Sequence, residues 1–420
     1  MLDLKFIREN VDVVRENCLR KNDSSDLDLL MTLDATRRTL IQGVEDLKAR
    51  RNAVSQEISL KKRSGDDATS QITEMREVGD VIKNLDEDLR TVEEQIDDIM
   101  MRIPNMAHAS VPVGKSAEEN VEVRREGICI EREWRKDHLE LGRDLGILDF
   151  ERGAKVTGTG FGFYVGKGAR LERALINYFL DTNTNDRGYT EILPPFMVNS
   201  TSLRGTGQLP KNHDDMYYME RDELYMIPTA EVPITNFHRD EMLDAAALPI
   251  KYAGYSACFR RESGSYGKDT RGFLRVHEFN KVELVKFVRA ETSYDELELL
   301  VNDVESHLRA LGFTYRVLLL STGDMTFGGS KTYDLEVWSP CEQKWLEVSS
   351  CTNFESFQAR RANIRFKDTP SSKPEFVHTL NGSGLATSRI MVALLEQYQR
   401  PDGHIDVPAC LRPYCGFDVI

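Results

Sequence analysis

The chain has 420 residues, 40% hydrophobic and 30% charged, which allows two or three domains with a large core and a cleft. Its 18 Phe, 14 Tyr and 3 Trp exclude an unstructured tail, and no run of about 18 apolar residues provides a membrane span. A net charge of −14 excludes indiscriminate coating of nucleic acid, though not a local basic face. The start, MLDLKFIREN, carries Asp3 and Glu9 and no apolar signal segment. Scattered cysteines without a CxxC pair point to a reducing, cytoplasmic setting.

Between Leu27 and Met101 there is no proline or aromatic residue, and glycine stands only at 43, 65 and 79. Met75, Val78, Ile82, Leu85, Leu89, Val92, Ile96 and Ile99 recur by three and four, which is an a/d heptad seam. Leu30, Leu33, Leu40, Val44, Leu47, Val54 and Ile58 repeat more loosely, with Arg37 and Arg51 at seam positions. Arg63-Ser64-Gly65-Asp66-Asp67 between them reads as a turn. The pattern predicts an antiparallel helical hairpin over about 27–101 within an N-terminal domain of residues 1–102. Its first helix, 27–64, reaches roughly 57 Å at 1.5 Å per residue, and Pro104 ends the second. The first helix carries eight bases against five acids, and residues 68–101 carry three against ten. Opposite charge fits pairing of the two helices. It also fits a basic face for a phosphate backbone, and periodicity does not separate the two.

Residues 103–150 read as a connector rich in Pro, Gly and charge. From 151 to 420 glycines and aromatics rise, with strand-like runs at 160–165, 188–193, 224–227, 281–288, 315–320, 333–338 and 345–350. The clearest helices are expected at 169–181, 292–311 and 385–398. Most runs are not separated by helices, so an α+β fold with an antiparallel sheet and flanking helices fits better than a doubly wound one. Gly158-Thr159-Gly160 lacks the third glycine of a dinucleotide fingerprint, and no GxxxxGK[ST] occurs. An ATP site here does not use a P-loop.

Four constellations carry chemistry. In Phe259-Arg260-Arg261-Glu262 and Arg271–Phe279, two strands flank a polar, Gly-rich loop. Arg260 ends the first strand, where it could grip phosphate or carboxylate. Glu262 could accept from an adenine amino group and Phe279 could stack on a base. The plain alternative is a hairpin with surface ion pairs. Asn381–Arg389 is a stretch of small residues that lets backbone approach a ligand, opening a helix with Arg389 against its dipole; the alternative is a loop cap on a core helix. In Glu347-Val348-Ser349-Ser350, a regular strand would put Glu347 with Ser349 and Val348 with Ser350. A carboxylate and a hydroxyl suit Mg²⁺, unless this is only a half-exposed edge. Gly188–Pro195, a strand stopped by proline, fits a symmetric subunit interface.

In this order the patterns resemble the three signature motifs of class II aminoacyl-tRNA synthetases. Gly188–Pro195 looks like motif 1, Phe259–Phe279 like motif 2 and Gly382–Arg389 like motif 3. The hairpin, with Thr229-Ala230-Glu231, Gly205–Pro210 (GTGQLP) and Glu278–Glu283 (EFNKVE), is similar to the seryl-tRNA synthetase family, in its common branch without zinc. The resemblance covers essentially the whole chain, and 151–420 would be the catalytic domain. It implies serine, ATP and Mg²⁺ as ligands, with serine loaded onto tRNA(Ser) and onto tRNA(Sec) where that exists. It also implies a homodimer in which one subunit's arm guides tRNA to the other's active site.

Carried over residue by residue, Arg260 would bridge the ATP α-phosphate and the serine carboxylate. Glu262 would read adenine and Phe279 stack on it. Arg389 would lie on the other face and touch the γ-phosphate, with Arg271 near the same phosphate. Arg261, Val276, Val348 and Ser349 join the nucleotide set, and Glu347 and Ser350 would hold Mg²⁺. Thr229, Ala230, Glu231, Glu283, Asn381 and Ser383 would surround serine, with Glu231 facing its amino group. Arg260, Arg389 and Glu347 would be the catalytic residues. Ser388 stands where many relatives have glycine before the motif 3 arginine. Cys410 and Cys415 lack the further partners a zinc site requires. Two rivals are a same-core enzyme loading a carrier protein, against which the basic hairpin speaks, and a degenerate coiled-coil scaffold, against which the intact Arg260, Glu262, Glu283, Glu347 and Arg389 speak.

Overall fold

The computed structural model describes residues 1–129, 134–263 and 271–420. The loop expected inside the motif 2 cradle falls largely at 264–270, outside the described residues. The chain divides into two units. One is Asp3–Leu19 with Asp23–Ile103; the other is Met1–Leu2, Arg20–Asn22 and Pro104–Ile420. Among the described residues no helix is long and apolar enough to cross a membrane.

The first unit contains the hairpin, a 38-residue helix Leu27–Ser64 and a 32-residue helix Thr69–Met100. Gly65 ends the first helix at φ +84°, a conformation that glycine adopts without strain. Met75, Val78 and Ile82 are buried against Leu47, Val54 and Ile58, as the heptad seam requires. Two short helices, Leu4–Glu9 and Val11–Arg20, precede the hairpin; neither was legible in the pattern, being too short for a repeat to show. From the first of them, Arg8 reaches the buried Asp34 carboxylate at 2.6 Å.

The charge asymmetry of the hairpin splits into two parts. Arg37–Glu93 (3.5 Å), Lys48–Asp86 (3.3 Å) and Arg50–Glu74 pair across the helices. Toward the tip, Arg51, Lys61, Lys62 and Arg63 form no ion pair among the described residues. Helix pairing therefore accounts for the proximal bases and leaves Lys61, Lys62 and Arg63 exposed at the tip, with Arg51 half-buried.

The second unit is built on an eight-stranded sheet. In chain order its strands are β1 (Val121–Glu126), β2 (Thr190–Glu191), β3 (Ile250–Phe259), β4 (Glu278–Val288), β5 (Tyr315–Leu319), β6 (Lys331–Ser339), β7 (Lys344–Asn353) and β8 (His378–Ala386). Across the sheet they run β1-β5-β6-β7-β8-β4-β3-β2. All neighbours are antiparallel except β2 and β3, in keeping with the α+β reading. The run at 188–193 shrinks to two residues, because Pro194 and Pro195 bring no N–H to a ladder. The stretch 103–150 does more than connect, since β1 within it pairs with β5 at the sheet edge.

A larger correction concerns Asn381–Arg389. Most of it is not a loop but strand β8, between β7 and β4, and the helix starts at Thr387. Its glycines answer to packing: a Cβ on Gly382 would sit 2.9 Å from Cys351 Sγ, and one on Gly384 2.9 Å from Leu284 Cγ.

Helices Lys167–Asp186, Ser293–Ala310 and Thr387–Gln397 pack with Val282, Leu284, Leu335 and Leu380 in the main core. Val285 and Phe287, of opposite parity on β4, join Ala230 and Ile234 in a second core. Side chains alternate across a strand, so Phe279, Lys281 and Glu283 share the face of Val285 and Phe287.

Candidate active site

That face of the sheet floors a cavity of about 640 Å³. Its lining includes Thr229, Glu231, Arg260, Glu262, Val276, Phe279, Glu347, Val348, Ser349, Ser350, Asn381, Ser383 and Arg389. Four other expected residues are not in the wall. Ala230 is buried in the second core. Glu283 is fully buried behind the wall. Arg261 is exposed and donates its backbone N–H to Asp215 O at 2.8 Å. Arg271 is the fourth: its side chain is 68% exposed and pairs with Asp137 at 3.1 Å. A single turn of helix, Gly272–Leu274, separates it from Arg275, which does line the cavity.

One end gathers aromatic and guanidinium groups. Arg260 lies 5.1 Å from the centroid of the Phe279 ring and donates Nε to Pro228 O at 3.3 Å. Glu262 sits at φ +51°, a strained conformation for a residue with a side chain, and its carboxylate is paired with Arg275. Arg389 donates Nε to Leu274 O at 3.1 Å and Nη1 to Glu347 O at 2.7 Å.

Beside it is an acidic corner. Strand β7 is not regular: Leu335 pairs with Ser349 but Glu336 pairs with Glu347, so β7 carries one extra residue, Val348. The expected pairing of faces fails for that reason. Instead Glu347 and Ser350 both approach Asp334, which stands opposite Ser350 on β6. Burial, then the Glu347 charge, holds the Asp334 carboxyl well above its usual range. Its Oδ1 has no hydrogen-bond partner among the described residues. An orphaned buried carboxylate oxygen with a second carboxylate and a hydroxyl is a donor set that fits a hard divalent cation.

The other end is a buried polar pocket. Lys281 donates Nζ to Thr229 Oγ1 at 2.8 Å and is ion-paired with Glu283. Asn381 donates Nδ2 to Glu283 Oε1 at 2.8 Å. Glu231 accepts from Gln358 Nε2 at 2.6 Å, and Gln358 in turn accepts from the Thr379 hydroxyl at 2.7 Å. Burial first, and the Glu283 charge second, push the Glu231 carboxyl up to about 7. Ser349 donates to Ser383 O at 2.6 Å, tying β7 to β8 across the floor.

Sequence reasoning missed Lys281, Arg275, Asp334 and Gln358. Lys281 carried a signal: a charge two residues from another on an apolar strand. Gln358, on the short helix Phe357–Ala362, carried none.

A sheet of this topology with such a cavity is the core of a class II aminoacyl-tRNA synthetase, and the model of the tRNA synthetase class II core domain (G, H, P, S and T) matches residues 217–398. The seryl-tRNA synthetase N-terminal domain matches residues 1–107. The chain is 57% identical to the serine--tRNA ligases of Chloroherpeton thalassium and Chlorobaculum parvum, with all of each chain covered. The seryl-tRNA synthetase of Pyrococcus horikoshii, complexed with ATP, superposes with a TM-score of 0.95 at 36% identity, covering 100% of this chain and 99% of that one. The cytoplasmic serine-tRNA ligase of Naegleria fowleri, in complex with AMP, gives 0.88 at 32% identity over 100% and 98%. The chain belongs to the seryl-tRNA synthetase family.

Proposed function

We propose that the cavity activates L-serine with ATP and passes it to tRNA(Ser). A serine carboxylate oxygen attacks the α-phosphorus, the bond to the β-phosphate oxygen breaks, and pyrophosphate leaves seryl-adenylate behind. The terminal ribose hydroxyl of tRNA then attacks the carbonyl carbon and AMP leaves. One observation carries this reading: Arg260 stacks on Phe279 at one end and acts on Glu231 at the other. A group held by Arg260 is therefore shared between the two ends.

At the nucleotide end, Phe279 stacks on adenine, Glu262 accepts from its amino group, and Arg389 and Arg275 face the phosphates. Arg275 takes the role expected of Arg271, leaving Glu262 to do so. Glu347 and Ser350, with Asp334 beside them, would hold Mg²⁺, which when bound neutralises charge on the triphosphate. At the amino-acid end, Glu231 faces the ammonium group. Thr229, Lys281, Glu283, Asn381 and Ser383 surround the side chain; a substrate lacking the hydroxyl leaves buried polar groups unpaired, which is the basis of rejecting alanine.

Residues 1–102 serve as the tRNA-binding arm and 151–420 as the catalytic domain, in a cytoplasmic homodimer. ATP–pyrophosphate exchange measured with each amino acid in turn tests the assignment. Exchange driven by serine alone is the expected result, and exchange driven by another amino acid, or none, overturns it. Charging of tRNA and of carrier proteins then identifies the acceptor.

A further inference from the structure

Glu172 lies in the Lys167–Asp186 helix with 5% of its surface exposed. Its Oε1 accepts from Asn280 Nδ2 at 2.8 Å and from the Thr387 hydroxyl. Asn280 is fixed from its other side, its Oδ1 accepting from the Tyr255 hydroxyl at 2.9 Å. Tyr164 and Tyr255 are the titratable groups that face this carboxyl, and no cation acts on it among the described residues.

A buried carboxylate without a cation is costly, so its presence calls for a function. The Tyr164 hydroxyl also hydrogen-bonds this carboxyl, and the other two donors are next to groups of the nucleotide end. Asn280 follows Phe279 on β4. Thr387 opens the helix whose first turn carries Arg389. The Lys167–Asp186 helix, β4 and the Thr387–Gln397 helix are thus tied to one oxygen, and the Thr387 hydroxyl also lies 3.1 Å from Asn280 O.

We propose that Glu172 is a positioning residue for adenylate formation: it holds Asn280 and Thr387, and through them Phe279 and Arg389, in the arrangement that receives ATP. The inference rests on the reading of this end of the cavity as the nucleotide site. An ionised acceptor grips its donors more strongly than a neutral amide, so glutamine would keep the shape and loosen the hold. Burial pushes this carboxyl up to about 6, so the grip weakens as pH falls through that value.

The test is serine-dependent ATP–pyrophosphate exchange by the full chain between pH 5.5 and 8, with ATP and serine varied separately. Glu172→Gln is expected to lower kcat/KM for ATP roughly fivefold at neutral pH, with serine KM within about twofold. The unaltered protein is expected to lose kcat/KM for ATP on the acid side of about pH 6, and the Gln variant to lack that decline. Thr387→Val probes the link from its other end, and the double variant should fall short of the product of the two single losses. Unchanged ATP parameters and pH profile, equal losses for both substrates, or strict additivity overturn the proposal. Should the Gln variant fail to fold, an unchanged ATP KM in Thr387→Val overturns it. Absence of serine-dependent exchange in the unaltered protein overturns the reading of the cavity, and this inference with it. Normal exchange with indifferent variants overturns the inference alone.

Discussion

Lys281 and Glu283 stand two residues apart on one face of β4 and form an ion pair with 6% and 0% of their side chains exposed. Removing one partner strands the other charge, a loss of roughly 3–5 kcal/mol for a buried pair. Glu283→Gln keeps the shape and removes the charge. It is expected to raise serine KM roughly tenfold, as for loss of a charged hydrogen bond, while ATP KM stays within about twofold. Exchange kinetics with each substrate varied checks this; a rise in ATP KM alone would move Glu283 to the nucleotide site.

The two arginines flanking the Gly272–Leu274 turn should behave differently. Arg275 lines the cavity, whereas Arg271 is exposed beside Asp137. Arg275→Ala is expected to lower kcat/KM for ATP by about 10², in the range for loss of one charge-stabilising donor. Arg271→Ala should stay within about threefold. Steady-state exchange on the two variants decides, and the opposite ranking would restore Arg271 to the phosphate site.

Glu231 predicts a pH dependence of both stability and serine use. Its folded carboxyl is raised to about 7 from an unfolded value near 4.3, so the folded state binds the extra proton. Stability then falls as pH rises between those values, by up to roughly 4 kcal/mol from this group. Glu231→Gln should make the slope of stability against pH shallower in denaturant titrations between pH 4.5 and 7.5, leaving the shares of the other raised carboxyls, Glu172 and Asp334. Ionised Glu231 is also the form that meets an ammonium group, so serine KM should climb as pH falls below about 7. A flat serine KM across that interval would contradict the role assigned to Glu231.

The hairpin makes a prediction about salt. Neutralising Arg51, Lys61, Lys62 and Arg63 together should weaken tRNA binding and make its salt dependence shallower by up to about one slope unit per lost phosphate contact. Serine-dependent exchange should not change. Arg50, already paired with Glu74, should matter much less when neutralised alone. Filter binding over a range of salt measures both slopes, and an unaltered slope for the four-residue variant would assign the whole basic face to helix pairing.

The hairpin was legible because its signal is one-dimensional: a period of three and four, uninterrupted by proline or aromatics, with a turn between. The sheet was legible in class, as aromatic and β-branched runs without intervening helices. Strand β8 was not. His378–Ala386 is held by neighbours on both sides and by the room its glycines leave for Leu284 and Cys351, and glycine in a strand has no local signature apart from a loop. Within the site, Arg260, Phe279 and Glu347 could be read because they sit in recognisable phrases. Arg275 and Asp334 depend on a helical turn and a cross-strand register that exist only once the chain is folded. Gln358 arrives from a helix distant in sequence, so its contact with Glu231 is a property of topology.

The extra residue in β7 imposes a rule on spacing. Deleting Val348 would restore an unbroken ladder with β6 and improve the local backbone pairing. The same deletion would shift everything on one side of it by a residue, sending either Glu347 or Ser350 away from Asp334. Two intervening residues between the glutamate and the serine can therefore be used to screen variants or designed sequences by eye: a chain with one has the tidier sheet and the wrong corner.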